Sequence, residues 1–273
     1  MSSLTNYAEN ALIKHITREA AYSPAATLYL LLCSGDPGEA ATGASCNEVA
    51  NTGSYARAAI AFAAASGRAI SNSGTVTFTT ITGSLGTVSH FAIADSGTYG
   101  AGNVLAYGQF STSKSLVTGN TPTVAMGEIS ISMNTGVYSN YTANGFLDRM
   151  FRNQAFTVGG NYIGLATATI SDSTTAPTEV ANSNAYSRLT INASGGAQPS
   201  WAAASGNSVA NANQWTMPTP SGSWGTVVAA FMSDSGTHSA GNVLLYDNGI
   251  TDQVVGADDV VYWPTGQFSL TQD

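Results

Sequence analysis

The sequence predicts a mainly β protein: two tandem homologous antiparallel β-sandwich or barrel-like domains, each opened by a short N-terminal α-helix. Three observations carry this expectation. Short apolar and Thr/Ser-rich segments separated by Gly, Asn and Ser recur through most of the chain. One segment near the start has clear helical spacing. The second half repeats the first in collinear order, the mark of a duplicated unit.

The repeat is direct. At an offset of 139, Asp95-Ser-Gly-Thr-Tyr-Gly-Ala-Gly-Asn-Val-Leu-Ala-Tyr107 falls on Asp234-Ser-Gly-Thr-His-Ser-Ala-Gly-Asn-Val-Leu-Leu-Tyr246, with ten of thirteen positions identical. Gly83–Val88 and Ala63–Gly67 match Gly222–Val227 and Ala202–Gly206 at the same offset. Earlier the offset is 131, pairing Glu48 with Glu179, Tyr55 with Tyr186 and Arg57 with Arg188. At the start it is 134, pairing Tyr7 with Tyr141, Asn10 with Asn144 and Arg18 with Arg152. Loop insertions between fixed elements produce such changes. The expected domains are 1–136 and 137–273, joined in the turn-rich stretch Asn134–Asn140.

Within a copy, Thr5–Ala20 is the expected helix. Thr5 or Asn6 can cap it, Glu9 suits the positive end of the helix dipole, and Pro24 marks a stop. Ala8, Leu12 and Ile16 define its apolar face, with Phe146, Leu147 and Met150 as the second-copy counterpart. Strands are expected at Thr27–Cys33, Ser54–Phe62, Gly74–Thr80, Thr87–Ala94, Val104–Phe110 and Pro122–Met133. A change of alternation across Gly127 predicts a bulge in the last of these.

Composition narrows function. Only 9% of the 273 residues are charged, lysine occurs twice (Lys14 and Lys114), and Ser and Thr contribute 32 each, so small polar groups must keep the surface soluble. With a net charge of −8 and eight basic residues, the chain lacks the cationic surface that nucleic acid requires. No apolar run is long enough for a membrane helix, and the N-terminus lacks a signal-peptide pattern. The halves differ in charge: 1–136 carries seven acids and five bases, 137–273 nine and three. From Asp247 onward there are five Asp and no base. A β protein almost without the lysines that guard strand edges is suited to burial in an assembly.

No catalytic, cofactor-binding or metal-binding residues are expected. Asp95-Ser-Gly and Asp234-Ser-Gly, one per half, allow an aspartic-protease reading, but the shared Ala-Gly-Asn-Val-Leu that follows reads better as two equivalent hairpins. His15, His90 and His238 fall at unrelated positions of the two copies, unlike metal ligands. Asp247, Asp252, Asp258 and Asp259 lack the spacing of a calcium loop and read as solvated acids. Arg57 and Arg188 are expected to meet Glu48 and Glu179 within their own repeats. Cys33 and Cys46 are expected as reduced thiols. All four Trp (Trp201, Trp215, Trp224, Trp263) lie in the second copy, as core or as a platform for host glycan.

Leu4-Thr-Asn-Tyr-Ala-Glu-Asn10 with Leu12 and His15, Leu28–Pro37, Glu48-Val with Ser54-Tyr-Ala-Arg57, and Gly83–Val88 together resemble a family of tailed-bacteriophage virion structural proteins, variously labelled tail fibre, minor tail or head-decoration protein. The resemblance runs through residues 4–133; the second copy keeps the frame but loses Ala-Glu-Asn and Gly-Asp-Pro. It implies a non-enzymatic virion component with other capsid or tail proteins as partners. Capsid decoration (a cement protein) is slightly favoured, with a receptor-binding tail fibre as the alternative. A homo-oligomer is expected; three duplicated chains would present six copies of one unit, so a trimer fits a pseudo-sixfold capsid position.

Overall fold

The computed structural model describes residues 2–272 and repeats one strand order in both halves. In the first repeat Ser2–Leu4, Val104–Leu116, Gly86–Ala94, Leu28–Cys33 and Ala58–Ile60 lie side by side in that order, all antiparallel. In the second, Val243–Asp247, Ala229–Ser233, Asn161–Ala166 and Leu189–Ile191 repeat the order. The first strand of that series is reduced to one bridge, Tyr138 to Leu245, where Leu4 meets Ala106 in the first repeat. Even the register shift between Ile93 and Ala94 recurs between Met232 and Ser233.

Two short ribbons flank each sheet. Ala69–Ser71 pairs with Ser130–Ser132 and Val76–Thr77 with Thr123–Val124. Their counterparts are Ser208–Ala210 with Ser269–Thr271 and Trp215–Thr216 with Tyr262–Trp263. A further ribbon in the second repeat, Gly225–Val227 with Gln253–Val255, matches the distal part of the first repeat's long hairpin.

These ribbons correct the expected strands. Ser54–Phe62 shortens to Ala58–Ile60, and Gly74–Thr80 to Val76–Thr77. Pro122–Met133 is two strands, Thr123–Val124 and Ser130–Ser132, paired to different partners rather than one bulged strand. The Asn72 side chain takes the place of the missing ladder. It donates to Ala125 O at 2.9 Å and accepts from the Ile129 N–H at 3.0 Å, leaving neither backbone group unpaired. Val104–Phe110, in contrast, extends to Leu116.

Two helices open the repeats: α1 (Asn6–Ile16) and α2 (Asn140–Arg152). Thr5 and Ser139 cap them, accepting from the N–H of Ala8 and Thr142, and the same hydroxyls donate to Val104 O and Val243 O of the sheet. One residue thus starts the helix and ties it to the strand it packs on. The first helix ends at Ile16, four residues short of the expected Ala20. There the Thr17 hydroxyl bonds back to Ile13 O at 2.8 Å, and Arg18 turns left-handed with φ 63°.

Each helix lies against the other repeat. Asn207 Nδ2 donates to Asn6 Oδ1 at 2.7 Å and Glu9 Oε2 at 2.6 Å of α1, and the Ala204 N–H donates to Glu19 Oε2 at 2.8 Å. Reciprocally, the Arg68 and Ala65 N–H groups donate to Asn144 Oδ1 and Asp148 Oδ1 of α2, both at 2.9 Å. Arg68 and Asn207 are equivalent residues, both with positive φ (67° and 63°). The two repeats are therefore related by an approximate twofold exchange of contacts. Between them sits an aromatic cluster: Phe146 meets Phe156 at 5.3 Å and Tyr138 at 5.7 Å between ring centres. His15 joins it and donates from Nε2 to Phe156 O at 2.8 Å. Apolar residues of both repeats belong to one continuous core.

Truncating the fully buried Phe146 to Ala is expected to cost about 3–5 kcal/mol in urea unfolding. Because the core is continuous, tryptophan fluorescence, which reports only the second repeat, should trace the same single transition as far-UV circular dichroism. Two separated transitions would contradict the shared core.

Candidate functional site

The most elaborate polar constellation occurs twice. Arg57 sends Nε to Glu48 Oε1 at 3.0 Å and Nη2 to Oε2 at 2.7 Å, a two-pronged ion pair. Its Nη1 donates to Ser96 O and Ala101 O, both at 2.8 Å, and Nη2 to Gly43 O at 3.0 Å. The Tyr55 hydroxyl donates to Glu48 Oε1 at 2.8 Å and accepts from the Leu32 N–H at 3.1 Å. In the second repeat Arg188 grips Glu179 at 2.8 Å through both Nε and Nη2, and Nη1 reaches Ser235 O at 2.7 Å and Ala240 O at 2.8 Å. Tyr186 repeats the role of Tyr55, bonding Glu179 Oε1 at 2.9 Å and the Leu165 N–H at 2.9 Å. The pairing expected for both arginines is present.

Both pairs are buried. Burial by itself would raise the Glu179 carboxyl, but bonds from Arg188, the Ser239 N–H and Tyr186, with the Arg188 charge, outweigh it and hold the group below the ordinary carboxylate range. Burial pushes the Tyr55 and Tyr186 hydroxyls far up, so both remain donors. Every polar arm of the node is directed at the protein itself.

What the arginine clamps is the Asp-Ser-Gly-Thr hairpin. Asp95 accepts from the Asn103 N–H at 2.7 Å and from Asn103 Nδ2 at 2.8 Å; Asp234 makes the same bonds to Asn242 at the same distances. Gly102 and Gly241 adopt φ 84° and 79°, and a Cβ on either would stand 2.5 Å from that Asp oxygen. Each carboxylate thus closes a hairpin in its own repeat, the structural alternative to a protease dyad.

The remaining candidates are dispersed. His15 accepts from the Tyr22 N–H at Nδ1, 3.2 Å, which leaves Nε2 as its donor; burial lowers its pKa. His90 bonds Ser89 Oγ at 2.8 Å, and His238 Nε2 lies 2.8 Å from Val180 O. Cys33 and Cys46 are buried and unbridged. The Cys33 thiol is pushed well up by its hydrogen bond with Cys46 and by burial. Asp247 and Asp259 cap turns, accepting from the Gly249 and Gly256 N–H groups. Among the described residues no three His, Cys, Asp or Glu stand as a metal cluster, and no helix is long and apolar enough to cross a membrane.

Three of the four tryptophans are core. Trp201 and Trp215 meet edge-to-face at 4.8 Å, and Trp224 meets Tyr186 at 5.2 Å. Their indole N–H groups donate to Asn161 Oδ1, Ser200 O and Asn184 O. They occupy the places of Phe62, Val76 and Leu85 in the first repeat. Only Trp263 reaches the surface, where it lines a cleft of about 230 Å³ with Leu165, Val227, Gln253, Val255 and Val261. The equivalent cleft of the first repeat is larger, about 550 Å³, with Leu32, Val88, Lys114, Leu116 and Val124 in corresponding places.

The model of the family described as podophage GP4 fiber I protein gp80 matches this chain twice, over residues 3–132 and 137–271. The chain belongs to that family. It is a tandem duplication of a phage virion protein unit, and both matches carry the arginine–glutamate–tyrosine node. No individual curated protein matches the chain. The helix exchange between the repeats is the feature for which the sequence carries least signal. The repeated Glu, Tyr and Arg signal the node in the sequence, whereas the exchange contacts, Asn207 on Asn6 and Glu9 and the Arg68 N–H on Asn144, join non-equivalent residues and leave no repeated signal.

Arg57→Ala leaves the buried Glu48 carboxylate unpaired and is expected to cost about 3–5 kcal/mol in denaturant titration. For Glu179, a depressed folded-state pKa means a stabilising contribution that is complete above the ordinary carboxylate value of about 4.3 and disappears as pH falls through the folded value. Glu179→Gln should therefore be less stable at pH 7, and its stability should fall less steeply than the parent's between pH ~4.3 and lower values. Parallel slopes would contradict this role.

Proposed function

We propose that this chain is a structural protein of a tailed-phage particle, associated with a fibre, that acts through protein contact and not through catalysis. The observation that carries the reading is the family match over nearly the whole of both repeats, to a family described as a fibre protein. The structure supports the non-catalytic part. Its two most elaborate polar constellations are directed inward, holding hairpins, and each acid of the duplicated Asp-Ser-Gly-Thr motif is engaged by its own Asn. The repeats 1–136 and 137–273 serve as two versions of one contact-making unit, assembled into the particle in the host cytoplasm.

Capsid decoration is the second reading, favoured by the low surface charge and by the near absence of lysine, which suit permanent burial against shell neighbours. A trimer presenting six repeats belongs to that reading. For host-glycan binding Trp263 is the one tryptophan at the surface, since the other indoles lie in the core.

A gold-labelled tag at the C-terminus, imaged on intact particles, separates the readings. Label on appendages is the expected result; label spread over the head would transfer the assignment to decoration, and unlabelled particles would remove the chain from the virion.

A further inference from the structure

The two repeats share their strand pairings but not their surface, and one segment of the second repeat differs in both polarity and charge. Around the 230 Å³ cleft of the second repeat, Val254, Val260 and Tyr262 are 76%, 62% and 48% exposed. At the equivalent positions the first repeat has Ser115, Thr121 and Thr123, all exposed and polar. The strand pairing makes this equivalence firm: Gly225 pairs with Val255 as Gly86 pairs with Leu116, and Trp215 with Trp263 as Val76 with Val124. The same strand pairings therefore accept Ser and Thr at these three sites, and folding does not call for the exposed apolar side chains.

Charge diverges in the same segment. Ser113, Gly119 and Asn120 of the first repeat are Asp252, Asp258 and Asp259 in the second, and Lys114 is Gln253. No Lys or Arg occurs from Leu189 to the end of the chain. Apolar groups thus stand at three sites that are polar in the first repeat, whose own exposed Val117 and Met126 are Gly256 and Thr265 here, and a negative rim surrounds the new strip. Exposed apolar groups rimmed by charge of one sign are the form of a protein-docking surface.

We propose that the segment Gln253–Trp263 docks a neighbouring virion protein through an apolar patch with a basic rim. A second copy of this chain fits poorly as occupant. Of its eight cations, Arg57, Arg68 and Arg188 are buried, Lys14 and Arg152 are paired with Glu19 and Asp148, and Arg149 is bonded to Tyr22 O, which leaves Arg18 and Lys114 exposed on separate elements, too few to match three aspartates. A sugar would stack on Tyr262 and Trp263 and leave the exposed Val254 and Val260 without a role.

The proposal rests on the virion reading and is tested with the full-length chain and particles purified from a phage lacking it. Val254→Ser, Val260→Thr and Tyr262→Thr together install the first repeat's own residues. The unfolding midpoint should stay near the parent's while binding to the chain-free particles falls at least about tenfold. Asp252→Asn, Asp258→Asn and Asp259→Asn together should weaken binding and flatten its salt dependence. Undiminished binding by the Ser/Thr/Thr variant would overturn the docking proposal alone. It would also fall if that variant instead abolished self-association of the purified chain or binding to a glycan array. If the parent chain binds no chain-free particle, the virion reading fails, and the proposal fails with it.

Discussion

The arginine–glutamate–tyrosine node is the constraint on which each repeat depends. Removing a guanidinium and a carboxylate from water is costly, and a bare ion pair rarely recovers that cost. Here the remaining donors of Arg57 and Arg188 reach carbonyls of the loop leading back into the sheet, Ser96 and Ala101 in one case, Ser235 and Ala240 in the other. Lysine could not replace them, because one ammonium cannot span a carboxylate and two diverging carbonyls. The tyrosine completes the node by joining the carboxylate to the adjoining strand. Three segments distant in sequence are thereby fixed in register around one cation, which accounts for its presence in both repeats while neighbouring positions differ.

The second constraint lies between the repeats. In a symmetric homodimer every contact residue serves both sides and cannot change independently. A tandem chain has no such restriction, and its junction shows the effect. Arg68 and Asn207 occupy equivalent positions with the same left-handed backbone, yet they solve the contact differently. Arg68 reaches Tyr138 O at 2.6 Å, whereas Asn207 uses its amide on Asn6 and Glu9. The same freedom explains why one repeat's core holds Trp201 and Trp215 where the other holds Phe62 and Val76.

Much of this was legible in the sequence because it rests on local or repeated signals. The duplication, the helices with their apolar faces and the pairing of Arg57 with Glu48 required only spacing and charge. Strand lengths were not legible. Whether a residue near Val76 or Thr123 counts as strand depends on partners some fifty residues away and on Asn72, whose side chain replaces a stretch of ladder. Asn211 does the same in the second repeat, bonding Pro264 O and the Phe268 N–H. The tryptophans were ambiguous for a different reason: composition cannot tell a core indole from an exposed one. The aligned segment Gly222–Val227 sets only Trp224 on an aliphatic position, Leu85.

The scarcity of lysine first suggested edges meant to be covered, but the strands offer another protection. The outer strands of the first sheet, Ser2–Leu4 and Ala58–Ile60, have three residues each, while the inner hairpin strands run to nine and thirteen. The second sheet likewise ends in the three-residue Leu189–Ile191 and, on the other side, in Val243–Asp247, partly covered by the Tyr138 bridge. Short edges offer few free backbone groups to a wandering strand, so charge is not needed to repel one. Low charge therefore fits burial in an assembly without identifying the face that is buried. The sharper signal is local: where one repeat has Ser and Thr and its twin, in the same strand pairing, has Val and Tyr among aspartates, the pairing itself does not require the apolar side chains, and that is the ground for proposing a contact outside the fold.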